Sequence, residues 1–572
     1  MGRTRRIAAG TVAEAYLALL KNRGIDRLFV NAGTDFAPIV EAYGRRPVSG
    51  LDLPEVVVCA HENVAVSMAH GAYLGDGRAQ AVMLHTSVGT ANAVGGVLSA
   101  ARGRVPLLVT AGRTPLFEDG APGARDAGIH WAQEMYDQAG MLRELVKWDY
   151  ELRDGVQVET VVDRALDVAR TQPAGPVYLT LPREVLARPA HGVEVRDGPA
   201  APPVPASPDP DAVGRLADHL AAARLPVVVT TSTGADPRTV PLLDELCRRF
   251  SIGVLEHKAR FVNVPPANPL HLGFDIAPVL AEADVLCFLD VDVPWTPGAA
   301  EPRDEAIVVQ CGPDPHFGAY PIRGHRSDLS VTAAPRSLLT ALIAALDERA
   351  AAIDPGRRRR IAETARERGE RRREALDTAA RAGGPIDKTF LNWAIGQVRP
   401  DDSVIVNEYW ARPEFLGGLE PGGYFGFPPD GGLGWGLPAA LGVRLARPGR
   451  TVIATLGDGS YLFANPAACH HAMHAHDLPV MTVIAANGRW AAVENSALAM
   501  YPDGDAASSA SSGQVSAFAR LDPVPEFEKY AQASGGHGER VTERSELVPA
   551  LRRGLRAVRE ERRPAVINVR CA

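Results

Sequence analysis

Two short polar segments follow apolar, strand-like runs in the last third of the chain. They are Gly457-Asp458-Gly459-Ser460 and, after the next such run, Asn487-Gly488-Arg489. If the two strands are neighbours in a parallel sheet, Asp458 and Asn487 emerge at the same edge, where such sheets bind ligands. A carboxylate, an amide oxygen and a backbone carbonyl are hard oxygen ligands that suit Mg²⁺ bound to a diphosphate. The flanking glycines let the backbone approach a phosphate. Each segment taken alone also fits an ordinary turn.

Three further segments place polar side chains or glycines at the ends of predicted strands. They are Cys59–Asn63 with Glu62, Leu84–Asn92 with His85, and the glycine-rich Asp430–Ala440 with Leu433. Each has a structural alternative: a charge at a helix N-terminus, a structural histidine, and a loop before a packed helix. At the end of the first predicted strand stand Thr34 and Asp35, and we expect Asp35 to cap a helix.

The composition is that of an ordinary globular protein. The 572 residues are 46% hydrophobic and 23% charged, and the net charge is −7. A negative net charge gives no overall basic field that would attract nucleic acid or an anionic membrane. The sequence contains no run of about 18 apolar residues, so we expect no transmembrane helix. The six cysteines form no CxxC pair, and the N-terminus lacks the pattern of a signal peptide. We therefore expect a cytoplasmic protein.

Two charged clusters are open to a second interpretation. The run Arg357–Arg360 could form a nucleic-acid patch, but interleaved glutamates favour a solvated, ion-paired helix. Four histidines follow the GDG segment at positions that invite a zinc site: His470, His471, His474 and His476. No nearby cysteine or carboxylate completes such a site at standard spacing, so we expect a packed helix there.

Short apolar runs alternate with helix-like segments along the whole chain, which predicts βαβ units and parallel sheets. A proline-rich segment at 187–210 and a segment rich in Arg, Glu and Ala at 351–383 interrupt this pattern. We expect an extended linker and a charged linker helix there. The fold class is therefore α/β, with three parallel-sheet domains in tandem, each a doubly wound sandwich, at residues 1–186, 211–350 and 384–572.

Taken together, these segments resemble the thiamine diphosphate-dependent enzymes of the 2-oxo acid decarboxylase and acetolactate synthase type. The family carries GDG followed by asparagine at a similar separation, which is 29 residues here. The resemblance implies that Asp458, Asn487 and the main-chain carbonyl of Arg489 hold Mg²⁺. It implies diphosphate contacts from Gly457, Gly459, Ser460 and Asn487. Many members have two asparagines in a row, whereas Ala486 takes the first place here.

The same resemblance implies roles for the other segments. Glu62 hydrogen-bonds N1′ of the cofactor's aminopyrimidine, and Leu433 props the cofactor in its bent form. His85 lies in a run similar to the histidine loop of benzoylformate decarboxylases and relays a proton to the product. Thr34 replaces a serine that touches the substrate carboxylate, and Glu408 lies near the diphosphate.

In this family, the groups that match Glu62 and Asp458 come from different subunits. The resemblance therefore implies a homodimer or homotetramer with the site at the subunit interface. The three domains correspond to pyrimidine-binding, central and diphosphate-binding domains. Acetolactate synthases carry FAD in this block, but it has no clear GxGxxG after a strand here, so the sequence does not support FAD binding and leaves open whether FAD is bound structurally. A second substrate-facing histidine belongs in the central block, and His271 lies a few residues from its place.

The expected activity is decarboxylation of a 2-oxo acid, by a non-oxidative decarboxylase or a C–C lyase or carboligase. His85 favours this reaction, whereas the segment Trp131–Glu134 resembles one in acetolactate synthases, which condense two 2-oxo acids. Two other classes remain alternatives: a catalytically silent homologue that acts as a structural partner, and a different nucleotide-binding α/β enzyme.

Overall fold

The described residues of the chain form three parallel β-sheets and one small antiparallel pair. The computed structural model describes residues 4–190, 192–199 and 201–571. Within these residues, no helix is long and apolar enough to cross a lipid bilayer. The sheets follow one another along the chain and helices pack between and around them, which confirms the predicted α/β class with three parallel-sheet domains.

The N-terminal part contains a six-stranded parallel sheet with strand order β3-β2-β4-β5-β7-β6. Its strands, together with the outlying β1 and β8, are β1 Thr4–Ile7, β2 Arg27–Val30, β3 Glu55–Val58, β4 Gln80–Leu84, β5 Leu107–Arg113, β6 Asp149–Glu151, β7 Val177–Pro182 and β8 Val193–Arg196. Its helices are α1 Val12–Asn22, α2 Ala37–Ser49, α3 Glu62–Asp76, α4 Thr86–Arg102, α5 Ile129–Ala132, α6 Val158–Arg170 and α7 Arg183–Ala187. Strand β4 is buried along its whole length because helices cover both faces of the sheet.

The proline-rich segment 187–210 is extended only in part. It contains β8, which pairs antiparallel with β1. The segment ends where helix Pro210–Ala222 begins. The Asp209 side chain caps this helix by accepting from the backbone N–H of Ala212, and Pro210 occupies the first helical position.

The central part holds a five-stranded parallel sheet with order β10-β9-β11-β12-β13. The strands are β9 Pro226–Thr230, β10 Gly253–Glu256, β11 Val285–Leu289, β12 Ile307–Gly312 and β13 Leu329–Thr332. The helices are α8 Pro210–Ala222, α9 Thr239–Phe250, α10 Ala277–Glu282 and α11 Pro335–Asp347.

A long helix, α12 Arg357–Arg381, joins the central and C-terminal sheets. Its first residue, Arg357, is fully buried and donates to the backbone carbonyls of Leu220, Ala223 and Phe250. Farther along, Arg366 pairs with Glu370 at 2.8 Å on the exposed face. The arginine run is therefore an anchored, ion-paired linker helix, and one of the arginines of the supposed nucleic-acid patch is buried.

The C-terminal part contains a six-stranded parallel sheet with order β15-β14-β16-β17-β19-β18. The strands are β14 Val404–Asn407, β15 Tyr424–Gly426, β16 Val452–Gly457, β17 Met481–Ala486, β18 His537–Val541 and β19 Ala565–Arg570. The helices are α13 Lys388–Val398, α14 Gly436–Ala446, α15 Asp458–Phe463, α16 Pro466–Ala475, α17 Ala491–Met500, α18 Asp505–Ser511, α19 Phe527–Ala533 and α20 Arg544–Arg559.

Helices α3 and α14 pack with their backbones in contact and so join the N- and C-terminal parts. A Cβ atom on Gly71 would lie 1.9 Å from the carbonyl oxygen of Ala439, and one on Gly442 would lie 1.9 Å from that of Met68. Only glycine permits this approach. The contact matters for the site because α3 begins at Glu62 and α14 begins directly after the glycine-rich loop.

Candidate active site

The carboxyl ends of β16 and β17 bring Asp458 and Asn487 together. The two strands are neighbours, with Gly457 opposite Ala485. The Asp458 carboxylate accepts from the backbone N–H of Gly459 at 2.9 Å, of Asn487 at 3.0 Å and of Gly488 at 2.7 Å. Burial raises the pKa of Asp458, while these N–H groups oppose the rise. Neighbouring strands thus produce the arrangement that the spacing predicts.

The oxygens at this edge suit a hard cation. A carboxylate has about four acceptor positions and an amide oxygen about two. Three are used on Asp458, and the Asn487 Oδ1 accepts one bond, from the backbone N–H of Arg489 at 3.0 Å. Each side chain therefore keeps an acceptor position. One carboxylate alone does not neutralise Mg²⁺, so the donor set fits a magnesium ion that also binds a diphosphate.

The two glycines of the GDG segment differ in what they allow. A Cβ atom on Gly457 would meet only the Ser460 hydroxyl, at 3.8 Å, so the backbone there is open to a ligand. A Cβ atom on Gly459 would lie 2.1 Å from the Trp490 ring. Glycine at 459 is therefore required by packing inside the protein.

Glu408 at the end of β14 faces the protein backbone. It is fully buried, and its two carboxylate oxygens accept from the backbone N–H of Gly434 at 2.8 Å and of Gly436 at 2.5 Å. The Ser460 side chain also hydrogen-bonds to it. Burial raises the pKa of Glu408 to about 7. The carboxylate therefore binds the loop that carries the half-buried Leu433. The expected position of Glu408 near the diphosphate stays a prediction.

Glu62 lies at the first position of α3, at the edge of the N-terminal sheet. Its side chain is buried, and Asn92 Nδ2 of α4 donates to its Oε2 at 3.1 Å. A Cβ atom on Gly89 would sit 3.4 Å from its Oε1, so small residues on α4 leave room for the carboxylate. His61 caps the helix by accepting from Asn63 through Nδ1.

His85 is paired with a buried acid at the same edge. Its Nδ1 lies 2.6 Å from Asp35 Oδ1, and this hydrogen bond raises the pKa of His85. The ring is tightly enclosed, since a Cβ atom on Gly33 would lie 2.2 Å from it. Thr34, next to Asp35 in the chain, is exposed at the same edge.

Asp35 does bind the N-terminus of a helix, but not that of the helix that follows it in the chain. Its Oδ2 accepts, at 3.4 Å, from the backbone N–H of Thr86, the first residue of α4. Its Oδ1 bonds to His85, a contact that the sequence analysis did not predict. The missed signal was the sheet order: β2 and β4 are neighbours, so side chains that follow them meet.

The candidate residues thus form two clusters. The N-terminal cluster comprises Thr34, Glu62 and His85, and the C-terminal cluster comprises Glu408, Leu433, Gly457, Asp458, Gly459, Ser460, Asn487 and Arg489. Within the part of the chain that the structure describes, no hydrogen bond or ion pair joins Glu62 or His85 to Asp458 or Asn487. His271 belongs to neither cluster, because its Nε2 lies 3.0 Å from the buried Glu256 of β10.

Of the four histidines after the GDG segment, two make contacts within the fold, and His471 and His474 are exposed. His470 is buried and its Nε2 lies 2.7 Å from the Tyr461 hydroxyl, whereas His476 Nε2 lies 2.8 Å from the carbonyl oxygen of Val58. Among the described residues, no three His, Cys, Asp or Glu side chains are grouped so that they could hold a metal ion.

Comparison with known proteins agrees with this geometry. The model of the N-terminal TPP binding domain of thiamine pyrophosphate enzymes matches residues 10–141, and that of the C-terminal TPP binding domain matches residues 413–569. The chain is 28% identical over 518 residues to a benzoylformate decarboxylase of Pseudomonas aeruginosa, covering 84% of this chain and 87% of the relative. It is 26% identical over 584 residues to a sulfoacetaldehyde acetyltransferase of Rhodobacter capsulatus, covering 95% and 92%. A solved structure, a thiamine diphosphate-dependent 4-hydroxybenzoylformate decarboxylase of Rhodococcus jostii, aligns with a TM-score of 0.75 at 23% identity, over 98% of this chain and 99% of the other.

The two matched TPP binding domains together make up half of the length of this chain. The chain therefore belongs to the thiamine pyrophosphate-dependent enzymes.

Proposed function

We propose that this protein is a thiamine diphosphate- and Mg²⁺-dependent enzyme that decarboxylates a 2-oxo acid without oxidation, or transfers the resulting unit to an acceptor carbonyl. The observation that carries the proposal is the His85–Asp35 pair, which stands at the same sheet edge as the buried Glu62. At this edge, Asn92 holds the carboxylate of Glu62 in place, and Asp35 stabilises the protonated form of His85. The similar benzoylformate decarboxylase supports the substrate class.

Within the C-terminal cluster, the residues at the ends of β16 and β17 would hold the cofactor. Asp458, Asn487 and the carbonyl of Arg489 would bind Mg²⁺, and the open backbone at Gly457 would lie against the diphosphate. When bound, thiamine diphosphate supplies a nucleophilic carbon and an acceptor for the electron pair released with CO₂.

The N-terminal cluster would move the protons. Glu62 would share a proton with the aminopyrimidine, with its Oε2 fixed by Asn92. Asp35 binds Nδ1 of His85 and thereby leaves Nε2 as the atom that can face a substrate. The raised pKa of His85 favours the protonated ring, in which Nε2 carries a proton that it can donate to the product carbon.

The exposed hydroxyl of Thr34 would bind the substrate carboxylate. The neighbouring Asp35 does not repel this anion strongly, because it is buried and its carboxylate is engaged by His85 and Thr86. The six cysteines are all buried and free, which is consistent with the cytoplasmic location that we propose.

The two clusters would meet between two copies of the chain, as a homodimer or a pair of such dimers. Large exposed apolar side chains lie in the segments near each cluster, among them Val88, Trp131, Tyr136, Val493 and Met500. Exposed apolar surface of this kind is covered by a partner in stable assemblies.

A second candidate is condensation of two 2-oxo acids, as in acetolactate synthases. The observation that favours it is Gln133, whose backbone carbonyl accepts from Ser87 at 2.9 Å and whose Oε1 is buried with no partner among the described residues. Ser87 lies two residues after His85 in the chain, so its contact places the unused Gln133 acceptor in the neighbourhood of the histidine, where it could bind the hydroxyl formed on a second substrate.

The test is a panel of 2-oxo acids incubated with thiamine diphosphate and Mg²⁺, with and without an acceptor aldehyde, with products identified by mass spectrometry. CO₂ plus an aldehyde indicates the decarboxylase, and acetohydroxy acids indicate the synthase. No turnover together with no cofactor binding in calorimetry would reject both and favour the silent homologue.

A further inference from the structure

The segment Asn407–Trp410, which we call the clamp, begins at the last residue of β14 and contacts two loops that are distant in the sequence. One is the glycine-rich loop 430–436 that carries Leu433, and the other is the end of β16 with the start of α15, which carries Asp458. The clamp lies between them because β14 is the sheet neighbour of β16.

Every residue of the clamp contacts one or both loops. Asn407 Oδ1 accepts from the Thr455 hydroxyl at 2.9 Å, and Trp410 Nε1 donates to the carbonyl oxygen of Leu456 at 2.7 Å. On the other side, the Tyr409 hydroxyl donates to the carbonyl oxygen of Gly431 at 2.9 Å. Glu408 contacts both loops, through Gly434 and Gly436 on one side and Ser460 on the other.

The clamp holds an unfavourable backbone conformation. Tyr409 has a φ of 85°, in the region that L-residues other than glycine rarely adopt. Its ring stacks on Phe427 with the centroids 4.5 Å apart. Such strain persists where the surroundings overdetermine it, and it is often found at functional sites.

The glycine-rich loop depends on Glu408 for its ordering. Gly434 has a φ of 90°, and Gly436 provides the first free N–H of α14, which needs an acceptor. A buried carboxylate with two oxygens satisfies both N–H groups at once. No other part of the clamp offers two acceptors at this point.

We propose that Glu408 is a positioning residue that fixes the Leu433 loop relative to the Asp458 loop and thereby sets the affinity for thiamine diphosphate. This inference rests on the proposed function. Glu408 does this without touching the cofactor, because its oxygens are directed at Gly434 and Gly436. The cofactor would bind across both loops, so a loop that is free to move must first be ordered, which costs binding free energy.

The decisive variant is Glu408→Gln. The amide supplies one acceptor, and its NH₂ group faces a backbone N–H as donor to donor, so one N–H is left buried without a partner. We expect the dissociation constant for thiamine diphosphate, measured by calorimetry with Mg²⁺ in excess, to rise about tenfold or more. At saturating cofactor we expect kcat to return close to the wild-type value, since no reacting group is removed.

A second variant guards against a failure of Glu408→Gln to fold. Tyr409→Phe removes one hydrogen bond to the same loop from a half-exposed side chain, so this variant should fold. It should weaken cofactor binding in the same direction as Glu408→Gln, but by less.

Glu528→Gln is the matched control. Glu528 is a buried acid of α19 that accepts from Asn568, on β19 of the same sheet, at 2.8 Å. It should leave the affinity unchanged even if it lowers the melting temperature.

The outcomes separate the two proposals. Wild-type affinity in both Glu408→Gln and Tyr409→Phe overturns the positioning role, and so does a lower kcat at saturation with unchanged affinity. If the wild-type protein itself binds no thiamine diphosphate, the proposed function fails first.

Discussion

At the scale of single residues, the buried acids fix where protons are held. Asp35 is fully enclosed, and a Cβ atom on Gly112 would lie 1.8 Å from its Oδ2, so the carboxylate cannot move away from His85. The carboxylate that orients the histidine is therefore also the largest cause of its raised pKa. This role of Asp35 is tested by a substitution that removes its negative charge and retains the shape of its side chain.

We expect Asp35→Asn to lower the pKa of His85, because the hydrogen bond from Asp35 is the largest cause of its rise. If protonated His85 is the acid, the basic limb of the pH–rate profile moves to lower pH, and kcat/KM near pH 8 falls about tenfold. The pH dependence of kcat/KM for a 2-oxo acid substrate checks this. Asp126→Asn, an exposed acid near another histidine, His130, is the control; equal profiles for Asp35→Asn and the wild type would contradict the acid role.

Glu62→Gln should lower turnover by about two orders of magnitude or more, because the amide cannot exchange a proton with the cofactor. The melting temperature and Mg²⁺ binding should persist, since Asn92 still finds an acceptor and the C-terminal cluster is untouched. Steady-state rates and calorimetry measure the two effects. The exposed Glu55→Gln on β3 should behave like the wild type. Unchanged turnover in Glu62→Gln would remove this residue from the mechanism.

Which residues of the site can be predicted from the sequence depends on how local their contacts are. Asp458 and Asn487 follow strands that are consecutive in the sheet, so their meeting is predictable from spacing alone. The pairing of Asp35 with His85 needs the strand order, and the direction of Glu408 needs the fold of the 430–436 loop. Local motifs predict which side chains reach an edge, and only tertiary packing decides which way they point.

At the scale of elements, the contact between α3 and α14 positions both clusters. Since α3 starts at Glu62 and α14 follows the Leu433 loop, a shift of either helix displaces a part of the site. Gly71→Ala places a methyl group on the carbonyl of Ala439, and we expect a loss of about 2–3 kcal/mol in unfolding free energy. Chemical denaturation measures it.

The control for this contact is Gly95→Ala in α4, an exposed helix position where an added Cβ meets nothing within 4 Å. Alanine is the better helix former, so this variant should gain about 0.5–1 kcal/mol. A loss at Gly95 as large as that at Gly71 would show that the cost is not specific to the helix contact.

The same interface contains an acid-sensitive residue. His70 of α3 is fully buried, neither ring nitrogen has a partner among the described residues, and its ring lies edge-on to Trp435 at 5.4 Å. Burial lowers the pKa of His70 to about 3, with a further lowering from Arg260. Below about pH 6.5, His70 is therefore protonated in the unfolded chain but stays neutral in the folded chain. The free energy of unfolding falls as the pH drops towards 3.

His70→Leu should remove this dependence. Between about pH 6 and 4 the wild type should lose about 1.4 kcal/mol per pH unit more than the variant. Denaturant titrations at several pH values measure the slopes, and the absolute cost of the substitution does not affect the comparison. The exposed His471→Leu should keep the wild-type slope, and parallel curves for His70→Leu and wild type would show that His70 is protonated in the folded state.

At the scale of the molecule, the two clusters stand at the carboxyl edges of different sheets. The α3–α14 contact packs these two parts of the chain together, but no hydrogen bond or ion pair among the described residues joins Glu62 to Asp458. The proposed homodimer would complete two sites by placing the N-terminal cluster of each protomer against the C-terminal cluster of the other. A substitution in one cluster then changes the residues that one protomer contributes to a site and leaves those from its partner unchanged.

This arrangement predicts complementation between inactive variants. Glu62→Gln and Asp458→Ala homodimers should each be inactive, the first for want of the acid and the second for want of the metal ligand. When both chains are co-expressed with different affinity tags and purified through both tags, one site of each mixed dimer carries both substitutions and the other carries none. The mixed dimer should therefore recover up to about half of the wild-type activity. A site built within a single chain would give no recovery, since every site would then contain one defect, and this outcome would contradict the shared site while leaving the assignment of the two residues intact.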